Sequence, residues 1–343
     1  MPALAVAEAL RERGAEVSFV GARRSSGTGV AARSGYEEDT IPVRGFVRRA
    51  TPRNLTIGLQ AVAAVPRAAR VLRRRRADVV LTAGGYVAGP VALAARLTRR
   101  GIVVMEADSH FGLANRLIAP LARRVTLAFP LHGRSDRRYV VTGRPVSRAV
   151  TRATRTSGRR AFGVPPDATL LVIVGGSQGA RTLNRAAVDA FADDPPLWII
   201  HVAGPTQVEA VRAELATRPA TPRYRLEGFL DNLPEAIAAA DLVVARSGGS
   251  VFELAAIGRP SILVPYPHAT GDHQTKNARW LADAGAAVVL ADHACTGPKL
   301  QSLVGALLSD RRRLSAMADA AREVGRPDAA AQVADAVMET ALR

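Results

Sequence analysis

The sequence predicts an α/β protein built from two doubly wound parallel-sheet domains. The 343-residue chain is long enough for about two domains. Short apolar runs alternate along it with alanine-rich segments that favour helices. The runs are continuously apolar, as expected of strands that a parallel sheet buries on both faces. The predicted strands are 16–20, 78–82, 102–105, 125–128, 170–174, 197–202, 223–226, 242–245, 261–264 and 287–290.

A polar segment divides the chain. Residues 146–167 are rich in Arg, Ser and Thr and end in Pro165-Pro166, a composition typical of a link between domains. The residues after Gly297 favour helix throughout. We therefore predict a first domain over 1–146, a linker over 147–168, a second domain over 169–322 and a C-terminal helix over 323–343.

The chain opens on a helix, although domains of this class normally open on a strand. Pro2 suits the first turn of a helix, and Gly14 suits the position just after its end. The first domain should therefore lack its first strand, which lies at the centre of the order 3-2-1-4-5. One explanation is a start codon assigned too late, by about 15–20 residues. The other is a truncated relative. We favour the first, because losing a central strand leaves buried backbone groups unpaired.

The net charge of +17 is concentrated in one half of the chain. Residues 1–150 hold 26 Arg and 10 acidic residues, a balance of +16, and the remainder has a balance of +1. Such a basic half favours a polyanionic partner, for example nucleic acid, anionic lipid or a phosphorylated substrate. The alternative is a general preference for arginine, since Lys276 and Lys299 are the only lysines. A general preference for arginine over lysine does not explain why the positive charge is concentrated in residues 1–150.

The cysteine count and the hydropathy of the sequence limit the cellular compartment in which we expect the protein. Cys295 is the only cysteine, which excludes an intrachain disulfide and fits a reducing compartment. No uncharged apolar run reaches 18 residues, and the N-terminus lacks the layout of a signal peptide. We expect a protein of the cytosol or of the inner face of a membrane.

Two glycine-rich loops each follow a predicted strand and open a helix. They contain Gly84-Gly85 and Gly175-Gly176-Ser177-Gln178-Gly179. Such loops let backbone N–H groups at a helix start bind an anion. The alternative is that the glycines only make tight turns. Both loops fall at the carboxyl ends of strands, where ligands bind in sheets of this class.

A third stretch, Arg246–Asn277, combines a Gly-Gly turn with a polar loop. Glu253 lies three positions after Ser250, the spacing of a capping box. The functional alternative is a carboxylate that binds ribose hydroxyls. The spacing alone favours the capping box.

With Gly84–Pro90 and Gly175–Asn184, this third stretch resembles the MurG family of glycosyltransferases, and the resemblance covers nearly the whole chain. It implies a GT-B fold, with two Rossmann-like domains facing a cleft. It also implies inverting transfer of N-acetylglucosamine from UDP-N-acetylglucosamine (UDP-GlcNAc) to the 4-hydroxyl of undecaprenyl-diphospho-N-acetylmuramoyl-pentapeptide, in peptidoglycan synthesis. The alternatives are a GT-B transferase or epimerase for another UDP-sugar, or an inactive truncated relative.

The resemblance also implies site residues. Ser177 would contact the diphosphate, Leu230 the uracil through its backbone, and Glu253 the ribose, which reverses the capping-box interpretation. No metal or cofactor is implied. The implied substrate-binding residues are Gly176, Ser177, Gln178, Leu230, Gly249, Ser250, Val251, Phe252, Glu253, Gln274 and Asn277, with Asp108, Gly84 and Gly85 in the first domain.

The chain departs from the family pattern in four places, one of which is the turn before Glu253, about one residue shorter than in the family. The family's Glu-Gln-Asn is Glu106-Ala107-Asp108 here, and its Gly-Asn-Pro-Val-Arg is Gly143-Arg144-Pro145-Val146-Ser147. The opening that carries the family's general-base histidine is absent from the sequence. The catalytic base therefore remains unassigned, and by topology Glu106 and His110 are the candidates near the cleft.

A basic segment predicts contact with a membrane. Leu55–Arg76 forms an amphipathic helix in this prediction and joins Arg48, Arg49 and Arg53 in one cationic surface. Each basic residue near an anionic leaflet contributes about 1 kcal/mol. We expect a peripheral protein on the cytoplasmic face of the cell membrane; the alternative is a solvated helix face. Nucleic acid is not expected, because aromatic residues are only 4% and no RRM, KH or helix-turn-helix pattern occurs.

Overall fold

The computed structural model describes residues 2–23, 29–44, 52–108, 111–130, 133, 136–176, 179–193 and 196–342, with 52–56 and 270 described by their backbone alone. The chain divides into two compact units. The first comprises Met1–Ser147 and Asp328–Arg343, and the second comprises Arg148–Pro327. Each unit is an α/β domain with parallel strands.

The strands of the first unit form two separate sheets. They are β1 (Ser18–Ala22), β2 (Glu37–Ile41), β3 (Val79–Thr82), β4 (Gly101–Glu106), β5 (Arg124–Leu127) and β6 (Tyr139–Val141). One sheet is β1-β2 and the other is β3-β4-β5-β6, with every pairing parallel. Among the described residues no strand pairs with both β1 and β3, so the two sheets are not joined by a ladder.

Helices cover these sheets. They are α1 (Pro2–Glu12), α2 (Val30–Arg33), α3 (Pro52–Ala63), α4 (Val65–Arg74), α5 (Ala88–Leu97), α6 (Leu113–Ile118) and, at the C-terminus, α16 (Ala329–Ala341). Val6 and Leu10 of α1 pack with Val333 and Val337 of α16 over Met105 of β4. Arg13 also forms an ion pair with Asp335, 2.8 Å apart. The C-terminal helix is therefore part of the first unit.

The second unit is one six-stranded parallel sheet. Its strands are β7 (Leu170–Val174), β8 (Trp198–Val202), β9 (Tyr224–Glu227), β10 (Leu242–Ala245), β11 (Ser261–Leu263) and β12 (Ala287–Val289). The order β12-β11-β10-β7-β8-β9 is the doubly wound arrangement of a dinucleotide-binding sheet. The central strands β7 and β10 are buried along their full length, which explains their continuous apolar sequences.

The segment expected to be a linker begins this unit with α7 (Arg148–Arg152) and α8 (Arg155–Phe162). Thr154 and Ser157 form a capping box, so these polar residues start a helix. The buried guanidinium of Arg159 donates a 2.9 Å hydrogen bond to Asp241, which fixes α8 to the sheet. The other helices are α9 (Arg181–Phe191), α10 (Val208–Leu215), α11 (Leu233–Ala239), α12 (Ser250–Ile257), α13 (His273–Asp283), α14 (Gly297–Ser309) and α15 (Arg311–Val324).

Each of the ten predicted strands has a counterpart in the structure, but β2 and β6 were not predicted. Both lie at an edge of their sheet. The strand β2 has the sequence Glu-Glu-Asp-Thr-Ile with one buried residue, and β6 is half-exposed or exposed along its length. Edge strands need no continuous apolar sequence, so the pattern that reveals central strands is absent there.

Candidate functional site

The predicted donor-binding residues follow four strands of the second unit. Because this sheet is parallel throughout, the carboxyl ends of its strands share one edge. Gly176 follows β7, Leu230 follows β9, Gly249 to Glu253 follow β10, and Gln274 and Asn277 follow β11. The topology therefore brings these residues to a single edge.

The loop after β7 requires glycine. Gly179 has a φ of +76°, and a Cβ there would lie 2.6 Å from the carbonyl oxygen of Ala203. A Cβ on Gly175 would lie 3.0 Å from the amide nitrogen of Ala180. The loop thus packs directly against the end of β8 and the start of α9. Ser177 and Gln178, between these glycines, lie outside the described residues.

A buried polar network supports this loop. The Asn184 amide donates to the Ala203 carbonyl at 2.9 Å, so its Oδ1 faces Nε2 of His201 at 3.0 Å. His201 therefore donates from Nε2, and its Nδ1 accepts from the Tyr224 hydroxyl at 2.8 Å. Burial lowers the pKa of His201 to about 3, so the ring is neutral. The network ties α9 to β8 and β9.

The turn after β10 leads into α12. This helix begins at Ser250 with Gly249 as its N-cap, and the Ser250 hydroxyl donates to the Arg246 carbonyl at 3.0 Å. The capping-box interpretation of Ser250 and Glu253 is therefore wrong, since Ser250 already lies within the helix. Glu253 lies in the first turn and is half-buried.

Val251 and Phe252 point into the core. Val251 is fully buried, and the Phe252 ring stacks on Trp280 with 5.2 Å between ring centroids. Leu230 is likewise buried. These three residues can therefore offer a ligand mainly their backbone groups.

The polar loop after β11 is tied to the turn after β10. Ser247 donates its hydroxyl to the Gln274 carbonyl at 2.8 Å, and the Asn277 amide donates to the Ser247 carbonyl at 3.1 Å. The Gln274 side chain accepts a 2.9 Å hydrogen bond from the Tyr266 amide through Oε1. Asn277 is 5% exposed, so its amide joins two elements of the protein.

In the first unit, Gly84 and Gly85 follow β3 with φ values of +82° and +78°. With Tyr86 they line a groove of about 320 Å³, which Phe19 to Ala22 of β1 also line. The groove therefore lies where the two sheets of this unit are not joined.

Glu106 lies at the end of β4 and is buried. Its carboxylate accepts hydrogen bonds from the Asp108 amide at 3.1 Å, the Gly112 amide at 2.9 Å and the Asn115 side chain at 3.0 Å. Three donors thus hold Glu106 in place and shape the loop before α6. The other candidate base, His110, lies outside the part of the chain that the structure describes.

The basic segment of the first unit is two helices, α3 and α4, because Pro66 starts a new helix. Arg74 and Arg75 form ion pairs with Asp39 of β2. Leu59 and Val62 of α3 are 66% and 64% exposed. Arg48 and Arg49, and the side chains of Arg53 and Leu55, are not among the described atoms. Within the described chain, no helix has the length and hydropathy needed to cross a membrane.

Comparison with known families identifies the chain. The model of the glycosyltransferase family 28 N-terminal domain matches residues 1–127, and that of the family 28 C-terminal domain matches residues 170–333. The chain belongs to glycosyltransferase family 28.

Individual members of family 28 are similar over nearly the full length. The UDP-N-acetylglucosamine--N-acetylmuramyl-(pentapeptide) pyrophosphoryl-undecaprenol N-acetylglucosamine transferase of Moorella thermoacetica is 40% identical, over 99% of this chain and 95% of the relative. The crystal structure of Acinetobacter baumannii MurG is 31% identical with a TM-score of 0.78, over 98% of this chain and 95% of that one. The resemblance to MurG and the GT-B fold class are thereby confirmed.

A more distant likeness concerns the fold alone. The UDP-GlcNAc 2-epimerase of Neisseria meningitidis, solved bound to UDP-GlcNAc, has a TM-score of 0.67 but only 13% identity, over 98% of this chain and 96% of that one. The matches to family 28, in contrast, include similarity of sequence as well as of fold.

The sequence patterns assigned no role to four residues that organise this edge of the second sheet. Arg246 and Ser247 belong to the third stretch, and Asn184 and His201 to the network under the glycine loop. His201 carried a usable signal, since it is a polar residue inside the apolar run of β8. Arg246, directly after the apolar run of β10, carried the same signal.

Proposed function

We propose that the chain transfers N-acetylglucosamine from UDP-GlcNAc to the 4-hydroxyl of undecaprenyl-diphospho-N-acetylmuramoyl-pentapeptide. The observation that carries this proposal is the 40% identity, over 99% of the chain, to a relative named for this transfer. The arrangement of loops at the carboxyl edge of the second sheet supports it, because ligands of doubly wound sheets bind there.

The donor binds along this edge in our proposal. The backbone at Leu230 receives the uracil, and the half-buried carboxylate of Glu253 accepts hydrogen bonds from the ribose hydroxyls. The loop at Gly176, including Ser177 and Gln178, and the turn at Gly249 receive the diphosphate. Gln274 contacts the sugar, while the buried Asn277 holds α13, the helix that carries both residues, to the turn after β10.

The chemistry is an inverting displacement at the anomeric carbon. The acceptor's 4-hydroxyl attacks, a general base takes its proton, and UDP departs. Negative charge develops on the leaving diphosphate, where the backbone N–H groups and the dipoles at the starts of α9 and α12 stabilise it. We do not assign the base to Glu106, since its carboxylate already accepts three hydrogen bonds.

The first unit binds the acceptor and the cytoplasmic face of the membrane in this proposal. Exposed Leu59 and Val62 on α3 provide apolar contact, and the exposed Arg67, Arg70 and Arg73 on α4 provide positive charge. Each such arginine contributes about 1 kcal/mol on an anionic leaflet. Co-sedimentation should therefore be stronger with phosphatidylglycerol vesicles than with phosphatidylcholine vesicles. Equal binding to both, or none, would contradict this assignment.

A ligand-protection experiment tests the donor assignment. At a concentration of one hundred times Kd, UDP-GlcNAc should stabilise the folded protein by about 2.7 kcal/mol. UDP should also stabilise it, because the diphosphate and uridine contacts remain. If neither ligand raises the melting temperature, the proposed site is wrong. Conversion of UDP-GlcNAc to its 2-epimer without an acceptor would favour the epimerase alternative.

A further inference from the structure

Arg246 occupies a buried position directly after β10 and is 9% exposed. Its Nη1 donates to the carbonyl oxygens of Val264 and Pro265, at 3.1 Å and 3.3 Å. These two residues immediately follow β11 and begin the loop that leads to Gln274. The guanidinium therefore fixes the direction in which this loop leaves the sheet.

Asp292 balances the charge of Arg246. Its Oδ1 lies 2.5 Å from Arg246 Nη1, while its Oδ2 accepts a 3.2 Å hydrogen bond from the Thr182 hydroxyl in the first turn of α9. The contact between Asp292 Oδ1 and Arg246 is an ion pair between two largely buried side chains. The pair connects the segment after β12 with the start of the helix that follows the glycine loop.

One peptide group links this ion pair to Gln274. The carbonyl of Pro265 accepts from Arg246, and the N–H of Tyr266 donates to Gln274 Oε1 at 2.9 Å. These two groups belong to the same planar peptide unit, so fixing one orients the other. Since Oε1 accepts from Tyr266, the NH₂ group is the part of the Gln274 amide that can donate to a sugar hydroxyl.

We infer that Arg246 and Asp292 form a positioning pair that orients Gln274 toward the sugar of a nucleotide-sugar donor. This inference rests on the proposed donor site. The pair acts on the loop after β11, so it should influence binding of the sugar more than binding of the nucleotide. Lysine would keep the positive charge of Arg246, but it would replace the planar guanidinium, which fixes the directions of the Nη1 donors, with a tetrahedral ammonium on a flexible stem.

Titration calorimetry with UDP-GlcNAc and UDP tests the inference. In Arg246→Lys, affinity for UDP-GlcNAc should fall on the order of tenfold, below the hundredfold that an ångström of misplacement can cost. Affinity for UDP should change less than about twofold, because both backbone carbonyls that the Arg246 side chain holds belong to the loop that leads to Gln274. Asp292→Asn, which preserves size and removes the charge, should shift the two affinities in the same directions.

Arg259→Lys is the matched control. Arg259 is a half-buried arginine that also donates to a backbone carbonyl, that of Ala240, but it lies just before β11 at the opposite edge of the sheet. Its replacement should lower the melting temperature without changing the ratio of the two affinities. The control thereby distinguishes a loss of stability from a loss of the orientation of Gln274.

The outcomes are distinct. If wild-type protein does not bind UDP-GlcNAc, the proposed function itself fails. If wild type binds but both variants lose the two ligands equally, or keep both, the positioning pair is contradicted and the donor site stands. Variants of Arg246 and Asp292 that are both unfolded by circular dichroism would also contradict it, because a purely structural pair predicts that result.

Discussion

The guanidinium of Arg144 lies 3.0 Å from the carboxylate of Asp108 and donates to the neighbouring Ala107 carbonyl at 2.7 Å. Both positions depart from the MurG pattern, which has asparagine at each. The structure brings the two departures together, so the added negative charge is accompanied by a positive one. Asp108 therefore brings no unbalanced charge to this loop.

The first prediction is that these two residues are energetically coupled. The Asp108 side chain is 52% exposed, so the coupling should be about 0.5 kcal/mol and should shrink in 1 M salt. A double-mutant cycle of Asp108→Asn and Arg144→Ala, followed by urea unfolding, measures it. Strictly additive effects in low salt would show that the two residues do not interact.

The second prediction concerns Glu106. Glu106→Gln should destabilise the first unit by about 1–3 kcal/mol, because an amide NH₂ would face N–H donors where a carboxylate now accepts three hydrogen bonds. Urea unfolding measures the loss. An unchanged stability together with abolished transfer would instead indicate that Glu106 is the base.

The third prediction is a pH dependence caused by His201. Its folded-state pKa of about 3 lies below the ordinary 6.5, so the unfolded chain binds a proton more readily. Stability from this group is present above pH 6.5 and is lost as the pH falls toward 3. Between pH 7.5 and 5 the loss should be about 2 kcal/mol. His201→Gln cannot titrate, so its unfolding free energy should fall by about 2 kcal/mol less over this interval. If the unfolding free energies of wild type and His201→Gln change in parallel with pH, the prediction of a buried neutral ring is wrong.

The fourth prediction concerns the glycine loop after β7. Gly179→Ala should weaken binding of UDP strongly, because the new Cβ would meet the Ala203 carbonyl at 2.6 Å and displace the loop. Gly163→Ala is the control: Gly163 also has a positive φ, +66°, but nothing lies within 4 Å of the added Cβ. The control should lose about 1–2 kcal/mol of stability from backbone strain alone. If both variants bind UDP with equal affinity, the loop after β7 is not part of the donor site.

Much of the fold followed from the sequence, for reasons visible in particular residues. Strands such as β7, with Leu-Leu-Val-Ile-Val buried throughout, carry an unmistakable apolar pattern. The edge strand β2 carries none, and the Ser/Thr-rich segment around Thr154 serves as a helix cap, which composition does not distinguish from a linker.

The site was only partly predictable. Spacing placed Ser250 as a helix cap, but the helix begins at Ser250 itself, one residue earlier than that interpretation needs. The connection from Asp292 through Arg246 to Gln274 joins segments that follow three different strands, so it depends on tertiary packing that no local motif encodes.

The central claim is tested most directly by measuring transfer of radiolabelled N-acetylglucosamine from UDP-GlcNAc to undecaprenyl-diphospho-N-acetylmuramoyl-pentapeptide in detergent micelles. The account predicts a labelled lipid product carrying one added hexosamine. It also predicts that Glu253→Gln raises KM for UDP-GlcNAc on the order of tenfold, as loss of a charge-assisted hydrogen bond to the ribose requires. Wild-type protein that binds UDP-GlcNAc but forms no labelled lipid, or a Glu253→Gln variant with unchanged KM, would contradict it.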